Sequence, residues 1–270
     1  MSAIQWYPGH MAKTRRQFEK MRKEIDVILW MVDARAPFSS LDPTFFPLVQ
    51  DKPFLMVLNK IDRVSPKALH HAIEQFHLQE KPAIGINAKN GKNIQAMIAK
   101  AESLKSRRRL LKELRLAVIG TPNVGKSTLI NTLAKRKVQA VANTPGITRQ
   151  LTWIKATPTL AILDAPGLMW PKIEDPTVAF RLAAIGTIKD TLLPLDKVVH
   201  YIFEVLIKQK QSKLFDDLGV TFEISFEDLV QKLAEKHGFL TAAGIDENKV
   251  YETILKSFRE GSLGSVYLDD

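Results

Sequence analysis

Eight residues with the spacing of a phosphate-binding loop, Gly120-Thr121-Pro122-Asn123-Val124-Gly125-Lys126-Ser127, follow the apolar run Leu116–Ile119 and precede a helical run, Thr128–Leu133. Glycine lets the backbone wrap closely around phosphate oxygens with its N–H groups turned inward. That places Asn123, Val124, Gly125, Lys126, Ser127 and Thr128 against a polyphosphate. Lys126 supplies a point charge for the β- and γ-phosphates, and the Ser127 hydroxyl is placed to coordinate magnesium. A second apolar run ends in Asn59-Lys60-Ile61-Asp62. A carboxylate at Asp62 can accept two hydrogen bonds from guanine, from N1–H and the exocyclic amine, where adenine offers no matching donors. Leaving such a group unpaired discriminates by on the order of 10⁴-fold. Asn87-Ala88-Lys89 follows a further apolar run and could complete the pocket by offering the Ala88 N–H to guanine O6.

Two more segments fit the same site. Asp164-Ala165-Pro166-Gly167 ends an apolar strand, where a magnesium-linked carboxylate (Asp164) and a γ-phosphate-sensing N–H (Gly167) belong. The polar stretch Asn143–Arg149 could close on the nucleotide through Thr144 and Thr148, with Thr148 as a magnesium ligand. The order is unusual: in most chains with these motifs the phosphate loop comes first, and here base recognition precedes it. A parallel sheet is assembled in space, so the site does not depend on where the chain is cut. Termini of a domain often lie close together, which makes circular permutation tolerable.

The elements that must position these residues alternate between short apolar runs and amphipathic stretches, as in a parallel sheet covered by helices. The pattern predicts strands at Asp26–Val32, Phe54–Leu58, Ala83–Ile86, Leu116–Ile119, Leu151–Lys155 and Leu160–Leu163. Their polar ends should line one crevice. The last two, joined by Thr157-Pro158-Thr159, predict an antiparallel hairpin. From about Pro176 the periodicity is helical. Val198, Val199, Tyr201, Ile202, Val205 and Leu206 share one face, Ser225-Phe226-Glu227-Asp228 resembles a capping box, and Asp246–Phe258 forms a helix ended by Gly261. The fold expected is α/β, a circularly permuted P-loop domain with a mostly parallel sheet flanked by helices (1–172), then a small all-helical domain (173–270).

The 270 residues carry 39 Lys/Arg and 29 Asp/Glu, a net charge of +10. Residues 11–23 and 105–115 each hold six basic residues and one acidic, so these two windows equal the whole excess. Concentrated positive charge attracts polyphosphate surfaces, which makes Lys13, Arg15, Arg16, Arg22, Lys23, Arg107, Arg108 and Arg109 candidate RNA contacts. The bland reading is a pair of solvated basic helices. There is no cysteine, which excludes disulfides, thiolate zinc sites and cysteine nucleophiles. The first ten residues are too polar for a signal peptide, and no apolar run is long enough for a bilayer, so a cytoplasmic protein without a membrane partner is expected. His70 and His71 read as solvated helix residues, and Trp153 and Trp170 as packing residues.

The chain resembles the circularly permuted GTPases of the YlqF/RbgA group through nearly its full length. The resemblance rests on the motifs above, on Trp6-Tyr7-Pro8-Gly9-His10-Met11, on Asp33-Ala34-Arg35-Ala36-Pro37, and on Phe258-Arg259 with Gly261, Leu263 and Gly264. It implies GTP hydrolysis in the assembly of the large ribosomal subunit, with GTP/GDP, the subunit precursor and its rRNA as partners, and the helical domain as an RNA-binding element. A monomer is the simpler assumption. Ras-like proteins often have a water-orienting glutamine where this chain has Leu168. The resemblance offers His10 as a catalytic histidine instead, and Asn123 matches an asparagine that binds potassium in related GTPases. The cofactors implied are Mg2+ and, through Asn123, K+. A scaffold in which GTP mainly orders the fold, or a GTPase acting on the small or mitochondrial subunit, are the alternative readings.

Overall fold

The computed structural model describes residues 4–5, 17–49, 51–105, 113–135, 151–164, 172–242 and 244–270. Its centre is a six-stranded sheet in the order β4-β3-β2-β5-β7-β6. The strands are β2 (Val27–Asp33), β3 (Phe54–Asn59), β4 (Ala83–Ile86), β5 (Leu114–Gly120), β6 (Thr152–Thr157) and β7 (Leu160–Asp164), and a two-residue strand, β1 (Ile4–Gln5), precedes them. All pairings in the sheet are parallel except the β6–β7 hairpin. All six expected strands are present, with no end displaced by more than two residues. The chain runs outward from β2 through β3 to β4, then returns to β5 on the other side of β2. The strand order therefore reverses between β2 and β5, where ligand crevices form in such sheets.

β2 reads Val-Ile-Leu-Trp-Met-Val-Asp and is buried throughout, as a central parallel strand covered on both faces must be. Its side chains alternate between two cores. Ile28, Trp30 and Val32 pack with Met56, Leu58, Ala72 and Phe76. Val27, Leu29 and Met31 pack on the other face with Leu55, Val57, Met97 and Leu129. The covering helices are α1 (Pro66–Leu78), α2 (Ile94–Leu104) and α3 (Lys126–Ala134). His70 and His71 are exposed on α1, and among the described residues no group of His, Asp and Glu could hold a metal ion. Trp153 is half-buried with the Arg115 guanidinium over its ring, 5.5 Å from the centroid.

The second body contains α4 (Pro176–Ala184), α5 (Leu195–Lys208), α6 (Lys213–Leu218), α7 (Phe226–His237) and α8 (Glu247–Glu260) around one apolar core that includes Val199, Ile202, Leu229 and Ile254. It also carries a small hairpin, Leu240–Thr241 with Gly244–Ile245. Ser225 caps α7 by accepting the Asp228 N–H at 3.0 Å. Gly261 ends α8 with φ +83, the left-handed cap that glycine adopts without strain. Lys172–Ile173 pairs antiparallel with Ile4–Gln5. After Gly261 the chain returns to the sheet domain, where Tyr267 is buried in the core formed by Trp30 and Phe76. Among the described residues no helix is long and apolar enough to cross a membrane.

Candidate functional site

Because neighbouring strands run parallel, their carboxyl ends fall on one edge. Asp33 is level with Asn59, Asn59 with Ile86, Met31 with Gly120, and Val118 with Asp164. Each expected motif with described residues therefore opens on the same crevice. Gly120 ends β5 at φ +146, and a Cβ there would lie 2.4 Å from the Met31 carbonyl oxygen. Gly125 has φ +103, and its Cβ would lie 2.2 Å from the Asn59 side-chain nitrogen. Only glycine fits either position. α3 begins at Lys126, so Ser127 and Thr128 lie in a first turn whose N–H groups lack intrahelical partners and point at an incoming anion.

The Lys126 ammonium folds back on the loop, donating to the carbonyls of Gly120 at 3.0 Å and Thr121 at 2.8 Å. Burial pulls its pKa down to about 8, with nearby Asp164 partly opposing. Asp164 is itself raised to about 6, by burial first, with Lys126 opposing. Both of its carboxylate oxygens are buried without a hydrogen-bond partner among the described residues. An ionised carboxylate in that position is costly. A hard divalent cation would supply what it lacks, since carboxylate oxygens are the donors such a cation takes.

On the base side, Asn59 fastens three segments. Its Nδ2 donates to the Val124 carbonyl at 2.7 Å, and its Oδ1 accepts the Ala88 N–H at 2.9 Å. The N–H expected to reach guanine O6 is thus directed at Asn59 here and would have to be shared with a base. Asp62 is half-exposed, with Oδ1 accepting from Asn87 Nδ2 at 2.7 Å. Asn87 in turn accepts the N–H groups of Lys89 and Asn90, which shapes the loop around Asp62. Lys60 is left-handed, φ +65, and its ammonium reaches the Asn123 carbonyl at 2.8 Å.

Lys60 also donates to Asp33 at 2.7 Å. Asp33 is completely buried and accepts from Arg35 through both oxygens, Nε at 2.9 Å and Nη2 at 2.8 Å. Burial alone would raise the Asp33 pKa, but Arg35 and Lys60 outweigh it and hold the carboxyl well below the usual range. Burial lowers Lys60 to about 8 despite Asp33. This pair of site neighbours carried no chemical role in the sequence. The available signal was an acid and a base two residues apart at the end of a wholly apolar strand.

His10, Thr144, Thr148, Gly167 and Leu168 lie outside the described residues, as do Trp170, Lys13, Arg15, Arg16, Arg107, Arg108 and Arg109. Of the basic candidates that remain, Arg22 is paired with Asp51 and Lys23 is exposed. Asn123, at φ +60, donates from Nδ2 to the Gly186 carbonyl at 2.6 Å.

Residues 115–235 match the family described as 50S ribosome-binding GTPase. Ribosome biogenesis GTPase A from Priestia megaterium is 36% identical, covering 99% of this chain and 96% of that one. The Bacillus cereus protein of the same name is 38% identical over 97% of this chain and 92% of its own. The chain belongs to the ribosome biogenesis GTPase A family. The solved structure of GNP-bound YlqF from T. maritima superposes with a TM-score of 0.70 at 24% identity, covering 95% of this chain and 97% of that one. At that identity the likeness bears on fold, and it agrees with the permuted P-loop architecture. As a member of that family, the protein hydrolyses GTP. The family match beginning at Arg115, on the phosphate-loop strand, leaves the base-recognition half before it, as the permuted order requires.

Proposed function

We propose that this GTPase acts as an assembly factor on the precursor of the large ribosomal subunit, hydrolysing GTP in response to that particle. The observation that carries the reading is the crevice joining Lys126, Asp164, Asn59 and Asp62, in a chain that aligns end to end with proteins named for ribosome biogenesis. In this reading Asp62, with Asn87, Ala88 and Lys89 around it, recognises guanine. The phosphate loop and Thr144 hold the phosphates, and Gly167 senses the last of them. Ser127, Asp164 and Thr148 hold Mg2+, which when bound neutralises phosphate charge. Lys126 orients the phosphates from its two carbonyl anchors.

Leu168 has no hydrogen-bonding group, so intrinsic turnover should be slow and water activation must come from elsewhere. His10 and a potassium ion held by Asn123 are the two candidates, and they are compatible. The Asn123 amide nitrogen is committed to Gly186, so a cation would be held through Oδ1. Partner-supplied or ion-supplied charge can be worth about 10³–10⁵-fold in such systems.

RNA contact is proposed chiefly for the first body. Residues 1–172 carry 28 Lys/Arg against 12 Asp/Glu, whereas residues 173–270 carry 11 against 17. A polyanion is therefore attracted to the permuted domain and its two basic windows, and contact by the helical domain has to be local.

The test is GTP hydrolysis at physiological potassium, alone, with purified large subunits and with small subunits, then with sodium replacing potassium. Stimulation by the large subunit alone supports the proposal, and dependence on potassium assigns Asn123 its role. Absence of stimulation by either particle would refute a ribosome-triggered enzyme and favour a scaffold that GTP merely orders.

A further inference from the structure

The loops that hold the base-side motif also hold the end of the last helix. Arg35 Nη1 donates to the Phe258 carbonyl at 3.1 Å, and its guanidinium lies over the Phe258 ring, 5.3 Å from the centroid. Phe258 sits in the final turn of α8, whose unsatisfied carbonyls and negative dipole end favour a cation. Arg63, immediately after Asp62, donates to the neighbouring carbonyl of Arg259. Two arginines from the guanine-side loops therefore cap one helix of the other body. The returning segment closes the arrangement, with the Val266 N–H on the Arg63 carbonyl at 3.0 Å and the Leu268 N–H on the Arg35 carbonyl at 2.7 Å.

Arg35 is 1% exposed and Asp33 0%, so neither can reach solvent for compensation. A fully buried carboxylate shared by two cations is sensitive to the position of each. Lys60 divides its donors between Asp33 and the Asn123 carbonyl of the phosphate loop. A shift of Lys60 on nucleotide entry would change the charge that Arg35 faces, and among the described residues the Arg35 side chain bonds only Asp33 and the helix end it caps. Loss of the helix end would leave Arg35 wholly to Asp33 and loosen the hold on Lys60.

We propose that Asp33 and Arg35 are positioning residues for Lys60, the lysine of the Asn59–Asp62 motif, and that through the Arg35–Phe258 contact they couple its seating to the end of the last helix. Neither residue touches nucleotide, and both act through Lys60.

Steady-state hydrolysis with Asp33→Asn, Arg35→Met and Arg35→Lys proteins tests the positioning role, and hydrogen exchange over residues 183–187 and 257–261 tests the coupling. Asp33→Asn keeps the shape and removes the charge. It should raise KM for GTP by about ten-fold or more, the scale of one lost charge-assisted contact, with a much smaller change in kcat. Arg35→Lys, which keeps charge but loses the two-pronged geometry, should fall between wild type and Arg35→Met. In the wild type, saturating GTP analogue should alter exchange in both segments, and in Arg35→Met protein that response should vanish although nucleotide is bound. A KM within two-fold of wild type for Asp33→Asn would overturn the positioning role. An unchanged exchange response in Arg35→Met, or no response in the wild type, would overturn the coupling. If Arg35→Met fails to fold, Arg35→Lys decides the matter by the same exchange measurement.

Discussion

The side-chain nitrogen of Asn59 lies 2.7 Å from the carbonyl oxygen of Val124, fastening the end of β3 to the middle of the phosphate loop. The loop is thus held from outside as well as by its own glycines, and Asn59 also takes the Ala88 N–H. Asn59→Ala leaves a buried carbonyl and a buried N–H without partners, at about 1–3 kcal/mol each. The expected result is a lower melting temperature in the nucleotide-free protein and at least about ten-fold weaker binding of both GTP and GDP. Fluorescent-nucleotide titration checks it. Equal affinities for wild type and variant would show that the loop holds its shape unaided.

Gly125→Ala and Gly91→Ala form a matched pair. Both glycines have positive φ, +103 and +81, but a Cβ meets Asn59 at 2.2 Å in the first and nothing within 4 Å in the second. Each substitution carries the backbone penalty of about 1–2 kcal/mol. Only Gly125→Ala should abolish nucleotide binding, because it also displaces Asn59. Thermal unfolding with and without GTP separates the two effects. Comparable losses of binding in both variants would count against the close approach as the cause.

Asp164→Asn should make the nucleotide-free protein more stable while removing magnesium-dependent hydrolysis. The Asp164 pKa is raised from 3.8 to about 6. Its contribution to stability is therefore complete below about pH 4 and is lost as pH rises through about 6. The variant does not titrate, so its advantage should grow between pH 4 and 7 to about 3 kcal/mol and stay level above. Melting temperatures measured across that range provide the check, and a variant less stable than wild type at pH 7 would contradict it.

Binding of GTP at pH 8.5 should take up protons. Burial depresses Lys126 to about 8, so much of it is neutral there, and an incoming phosphate favours the charged form. Uptake should come to about three quarters of a proton from this residue at pH 8.5 and disappear near pH 6.5, where it is already charged. Calorimetry in buffers of different ionisation enthalpy measures it. Lys60 is also drawn to about 8, so retention of the uptake in Lys60→Gln protein assigns it to Lys126.

The sequence by itself determined the strands, their polar ends and the permuted order. An all-apolar run such as Val27–Val32 can only be a covered strand, and the spacing from Gly120 to Ser127 encodes a local backbone shape that needs no distant partner. It likewise showed the caps at Ser225 and Gly261, because capping is settled within four residues. What only the tertiary structure decided is which side chains from separate strand ends meet. Asp33 read as the polar end of a strand, yet the sheet order sets β2 beside β3 and brings Lys60 onto it. Arg35 finds its carbonyl 223 positions along the chain, at Phe258. The final residues carried no periodic signal, yet Tyr267 enters the core beneath the sheet. Such pairings depend on the order of strands and the seating of one body on another. These follow from the packing of whole surfaces, and no local pattern records them.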